Sequence, residues 1–120
     1  QGTIINVTSM NGVAPGPNAG AYGATKSAIA LMTQQMAIEW GPLGIRVNAI
    51  APSLTNTPLA SGLLNSPEKI EAGGKRHPLG RVGESSDVAN LTAFLLAPEN
   101  TWITGQIIGV DGGMGSLKPA

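Results

Sequence analysis

Two runs of mostly β-branched residues, with one unbroken helical stretch between them, constrain this chain most. Ile45-Arg46-Val47-Asn48-Ala49-Ile50-Ala51, closed by Pro52, reads as a second strand, and Thr3-Ile4-Ile5-Asn6-Val7 shows little alternation of apolar and polar residues. That is the pattern of strands covered on both faces in a parallel sheet. From Gly20 to Trp40, Ala28, Leu31, Met32, Gln35 and Met36 recur at helical spacing, and Gly41-Pro42 supplies a stop. Small residues at Gly23, Ala24, Ser27 and Ala30 leave part of this helix thin enough for another backbone to approach. Strand, long helix and strand make one βαβ crossover, right-handed by the general rule.

The remainder extends the same pattern. After Pro52, residues 53–83 carry Pro58, Ser66-Pro67, Gly73-Gly74 and Pro78, with room for short helices at 59–64 and 68–72. So long a segment inside a compact domain reads as a lid or binding loop. Residues 84–96 read as helix, with Ser85 or Ser86 as N-cap, Asp87 in the first turn, and Val88, Leu91, Phe94 and Leu95 facing inward. Gln106 to Val110 is a third strand. The expected fold is therefore α/β, half of a doubly wound parallel sheet in the order β-α-β-lid-α-β. At 120 residues the chain is one domain or a piece of one. It opens on Gln1 and enters a strand almost at once, as if cut from something longer.

Composition removes several chemistries. There is no cysteine and His77 is the only histidine, so thiolate catalysis and clustered zinc ligation are not expected. The formal net charge is zero, which offers nothing to nucleic acid or an anionic membrane. No apolar run reaches the roughly 18 residues of a membrane span, and the default expectation is a cytoplasmic protein with a small-molecule or protein partner.

In open α/β sheets, ligands bind outside the carboxyl ends of the strands. The first strand delivers Thr8 and Ser9 there. Tyr22 and Lys26 stand four apart in the helical stretch, on one face. A tyrosine at the reference pKa of about 10 is a poor base at neutral pH. A cation about 4 Å away favours the phenolate by about 4 kcal/mol at an effective dielectric of 20. Ser9, Tyr22 and Lys26 together suit proton exchange with a carbonyl or hydroxyl oxygen. They supply no hydride, so an electron-carrying cofactor is required.

Other candidates have plainer readings. Gly12, Gly16 and Gly20 do not match G-x-G-x-x-G and read as turn glycines; Gly112-Gly113-Met114-Gly115 has no βαβ unit after it. His77 reads as a solvated loop residue. A hydrolase assembled from Ser9, His77 and Asp87 or Asp111 lacks the G-x-S-x-G elbow. Trp40 and Trp102 read as packing residues, and Arg81 with Glu84 as flanks of a helix start.

The motifs resemble the C-terminal half of a short-chain dehydrogenase/reductase. Y-x-x-x-K stands at Tyr22-Gly23-Ala24-Thr25-Lys26, preceded by Ser9 at the end of Ile4-Ile5-Asn6-Val7-Thr8. Arg46-Val47-Asn48-Ala49-Ile50-Ala51-Pro52 is similar to the family's R-V-N-x-I-x-P-G, and Ile103-Thr104-Gly105-Gln106 with Val110-Asp111-Gly112-Gly113 to its terminal signatures. The matches cover nearly the whole chain, so residues 1–120 are expected to be the C-terminal portion of one Rossmann-fold domain, with 53–83 as substrate loop.

The resemblance implies Tyr22 as proton donor and acceptor, Lys26 on the nicotinamide ribose, and Ser9 on the substrate oxygen. It also implies that Pro52, Ser53, Thr55 and Thr57 face NAD or NADP. The implied reaction interconverts a ketone and a secondary alcohol. Ser53 departs from the family's glycine and is tolerable if its φ stays negative. The family's Gly-rich phosphate loop belongs to a preceding half. A companion polypeptide carrying that half is therefore expected, beside a homodimer or homotetramer, and the 120 residues alone are not expected to turn over. The competing reading is a non-catalytic fragment or assembly module that keeps the fold without the cofactor site.

Overall fold

The computed structural model describes residues 1–13 and 18–117. Three parallel strands form the sheet: β1 (Gly2–Val7), β2 (Ile45–Pro52) and β5 (Ile107–Val110), in the order β1-β2-β5. β1 runs in register from Gly2 opposite Ile45 to Val7 opposite Ile50, and β5 from Ile107 opposite Ala49 to Val110 opposite Pro52. The central strand therefore holds the core, and Val47 to Ala51 are all buried. Both of its faces are covered, which suits the unbroken apolar run Ala49-Ile50-Ala51.

Which helix covers which face follows from the pleat. Asn6, opposite Ala49, donates from its side-chain amide to the Thr33 hydroxyl at 3.0 Å on helix α2 (Gly20–Trp40). Arg46, on the other pleat face from Ala49, donates to the Leu95 carbonyl at 3.0 Å on helix α4 (Ser85–Leu96). Alternate strand residues point to opposite faces, so α2 and α4 lie on opposite sides of the sheet, a doubly wound arrangement as expected.

The stretch Arg46-Val47-Asn48 also fastens the turn that starts β5. Asn48 is fully buried; its amide donates to the Ile103 carbonyl and its oxygen accepts the Gln106 N–H, each at 3.0 Å. Val47 N–H reaches the Thr104 hydroxyl at 3.0 Å. Every polar end of that buried amide has a partner, as burial requires.

Several expectations need correcting. In α2 the buried residues are Gly23, Thr33 and Ala37, whereas Leu31 and Met32 are exposed. Helical spacing permits more than one phase. The small side chains of Val47, Ala49 and Ala51 favour the phase that lets the helix sit close. Gly12, read as a turn glycine, lies in a one-turn helix, α1 (Met10–Val13), while residues 14–17, with Gly16, lie outside the described residues. The backbone of α1 is what approaches the thin side of α2, where a Cβ on Gly23 would stand 3.2 Å from the Asn11 carbonyl oxygen.

The N-cap of α4 is Glu84, not a serine; its N–H donates to the Asp87 carboxylate at 2.7 Å. Phe94 is half exposed and Leu95 alone is buried on that helix. Trp102, expected to pack, is almost fully exposed.

The lid is more ordered than its composition suggests. The 59–64 helix reduces to a 3-10 turn at Pro58–Ala60, and the 68–72 helix extends to α3 (Pro67–Lys75), capped by Ser66. Gly73 and Gly74 lie inside α3 because the helix packs on neighbouring backbone and side chains there. A Cβ on Gly73 would stand 3.0 Å from Val82 Cγ1, and one on Gly74 3.0 Å from the Gly80 carbonyl oxygen. A parallel pair not anticipated from the sequence, β3 (Thr55–Asn56) with β4 (Gly83–Glu84), ties the two ends of the lid together. Among the described residues no helix is long and apolar enough to cross a membrane.

Candidate active site

The carboxyl end of β1 and the first turns of α2 are held together by α1. Thr8 continues β1 past its partner through an N–H bond to the Ile50 carbonyl at 2.9 Å, and its hydroxyl donates to the Lys26 carbonyl. Ser27 donates to the Gly12 carbonyl at 2.7 Å. A side chain on Gly12 would meet the Lys26 carbonyl carbon at 2.8 Å. Gly12 therefore serves close approach of two helix backbones, not the turn conformation expected of it.

This packing brings the three predicted acid-base residues to one neighbourhood. Ser9, nearly buried, accepts the Asn11 N–H on its Oγ at 3.2 Å. The hydroxyl proton is left to donate outward. The Lys26 ammonium donates to the Val7 carbonyl at 3.4 Å and stands 5.6 Å from the centroid of the Tyr22 ring, within cation–π range. Tyr22 itself is 54% exposed, open to a ligand arriving at the strand ends.

The second predicted group follows β2. Pro52 is in register with Val110, and Ser53 N–H reaches the Val110 carbonyl at 3.3 Å. Among the described residues only Asn18 combines a side chain with positive φ, so Ser53 meets its backbone condition. The Thr55 hydroxyl donates to the Ser53 carbonyl at 2.9 Å, and the Thr57 hydroxyl accepts the Ala60 N–H at 3.3 Å as cap of the 3-10 turn. Thr8 joined to Ile50 sets this segment beside Ser9, so both groups occupy the same edge of the sheet.

His77 is the residue the sequence reading misplaced. It is 3% exposed, with Nε2 at 2.8 Å from Ser53 Oγ and Nδ1 at 2.7 Å from the Gly73 carbonyl oxygen. The one available signal was its place four residues beyond Gly73, where a side chain can satisfy an open helix carbonyl.

Near it, Arg81 grips the Asp87 carboxylate with bonds of 2.8 and 3.1 Å. That hydrogen bonding, with the Glu84 N–H, holds Asp87 down at about 2 against an ordinary 3.8, and Asp87 in turn raises Arg81. A cavity of about 310 Å³ is lined by Ser53, His77, Arg81, Asp87, Asp111 and other residues. Ser9, Tyr22 and Lys26 do not line it. The acid-base residues stand at open strand ends instead.

Residues 1–115 match a family model described as enoyl-(acyl carrier protein) reductase. A tropinone reductase homologue of Arabidopsis thaliana is 44% identical over 112 residues, covering 93% of this chain and 42% of that protein. A 3-oxoacyl-(acyl-carrier protein) reductase from Brucella melitensis, solved with bound NAD, superposes with a TM-score of 0.84 at 36% identity, over 98% of this chain and 42% of that one. ElxO with NADP bound gives a TM-score of 0.89 at 33% identity, over 96% of this chain and 47% of its own. The chain thus spans less than half the length of these relatives.

Proposed function

Because this chain belongs to the short-chain dehydrogenase/reductase family, we propose that it carries the catalytic portion of an NAD(P)-dependent oxidoreductase that interconverts a ketone and a secondary alcohol. Residues 1–120 are then the C-terminal portion of a single Rossmann-type domain, and 53–83 its substrate loop. The observation that carries this reading is the grouping of Ser9, Tyr22 and Lys26 at the carboxyl end of β1.

The residues fit a nicotinamide dinucleotide. Lys26 presents an ammonium with three donors, of which one is engaged by the Val7 carbonyl among the described residues. The others suit the vicinal hydroxyls of a ribose. Pro52, Ser53, Thr55 and Thr57 lie on the adjoining strand end, and relatives of this fold hold NAD or NADP. When bound there, the cofactor supplies or accepts the hydride.

The chain's own residues manage the proton and the oxygen. In the reducing direction the Tyr22 phenol gives its proton to the carbonyl oxygen of the substrate, and in the oxidising direction the phenolate takes it back. The Ser9 hydroxyl, whose lone pair is already committed to Asn11, donates to that same oxygen and fixes its position. Lys26 keeps a positive charge beside the ring.

The phosphate-binding part of the fold is expected outside these 120 residues, and a homodimer or homotetramer is the expected assembly. Fluorescence titration of that assembly with NADH and NADPH tests the reading. Saturable binding of at least one, followed by oxidation in the presence of a ketone, supports it. An assembly with a complete Gly-rich turn that binds neither leaves only the non-catalytic reading.

A further inference from the structure

The imidazole of His77 joins three segments that the sequence sets far apart. Ser53 is the first residue after β2 and His77 lies just beyond α3, so their 2.8 Å bond closes the lid across 24 positions. The turn after β5 completes the junction. A Cβ on Gly112, whose φ is 58°, would sit 3.4 Å from the Cβ of His77, and the Gly112 carbonyl accepts the Leu79 N–H at 3.1 Å.

The contact with Gly73 assigns the proton on one ring nitrogen. A carbonyl can only accept, so the nitrogen facing Gly73 carries the proton. In the neutral ring Nε2 is then an acceptor for the Ser53 hydroxyl, whose other acceptor is Met114 Sδ at 3.4 Å. No carboxylate is among its hydrogen-bond partners, so the ring is not set up as the base of a charge relay.

We infer that Ser53 and His77 form a positioning pair, a latch that holds the lid closed at its base and fixes the turn from Ser53 to Thr57 toward the cofactor. The second half of this statement rests on the function proposed above, and the first half does not. Thr55 is bonded to the Ser53 carbonyl, so a displaced Ser53 moves Thr55 with it. The pairing of β3 with β4 and the bond from Gly83 N–H to the Leu54 carbonyl at 2.9 Å hold the other side of the base. The latch therefore governs the span between them, residues 57–76, without being needed for the sheet.

Three variants of the full chain test this by hydrogen exchange and mass spectrometry, with no cofactor present. Ser53→Ala removes the donor; His77→Asn keeps an N–H near Gly73 but falls short of Ser53; Ser53→Thr retains the hydroxyl. Amides of 57–76 are expected to exchange about tenfold faster in the first two, the worth of one hydrogen bond, with β1, β2 and α2 unchanged and Ser53→Thr close to the parent. Nitrogen NMR of the parent should show Nδ1 protonated and Nε2 as acceptor.

Unchanged exchange in both Ser53→Ala and His77→Asn, or a proton found on Nε2 alone, overturns the latch. In the cofactor-competent assembly, His77→Asn should raise the cofactor KM about tenfold with kcat within about twofold. An unchanged KM alongside faster exchange would overturn the cofactor half of the inference. Failure of the parent itself to bind cofactor would count against the proposed function only.

Discussion

At Asp87, two donors hold one exposed carboxylate ionised: the Arg81 guanidinium and the Glu84 N–H. Its folded pKa of about 2 lies below the ordinary 3.8, so its stabilising effect is present above about pH 4 and is lost as pH falls toward 2. Thermal unfolding of the parent and Asp87→Asn should therefore differ at pH 5 and converge as the pH approaches 2. Added salt should shrink the difference, since the pair is exposed. Ser9 and His77 make a contrasting pair at the same scale. The position of Ser9 was legible because the apolar run before it ends at a strand end, which the structure places just after β1. His77 was not, because burial of a lone loop histidine depends on Ser53 and Gly73 meeting it in space, and their separation in sequence carries no sign of that.

Among the elements, those with regular periodicity were readable and those built by contact were not. β1, α2, β2 and β5 emerge near their expected bounds, since β-branched runs and a 21-residue helix stopped at Gly41-Pro42 leave few alternatives. The phase of α2 escaped because Leu31 and Met32 satisfy helical spacing as well as Thr33 and Ala37 do; only the small residues on β2 decide between them. α1 and the β3–β4 pair were missed because four-residue and two-residue elements have no period to detect. α1 also gives a sharp test of how the acid-base group is assembled. Gly12→Ala puts a methyl where the Lys26 carbonyl carbon leaves 2.8 Å, and overpacking of this kind costs about 1–3 kcal/mol. A urea titration should show that loss. Unchanged stability would mean that the approach of α1 to α2 is not what holds Ser9 beside Lys26.

Over the whole molecule, β1 is one of the two edge strands of the sheet, with Val7 half exposed. An uncovered edge of this sort recruits further strands. Light scattering on the chain alone should show association, and Val7→Lys should reduce it; a monodisperse parent would argue that the edge needs no companion. The chain spans less than half of its relatives' length, so the proposed activity is tested on an assembly that binds the cofactor. The most direct test of the acid-base assignment is the rate of NAD(P)H oxidation with a ketone, compared between the parent assembly and Tyr22→Phe. Loss of turnover by about a hundredfold or more, with cofactor affinity retained, is the predicted result. A Tyr22→Phe assembly that turns over at the parent's rate would contradict the account.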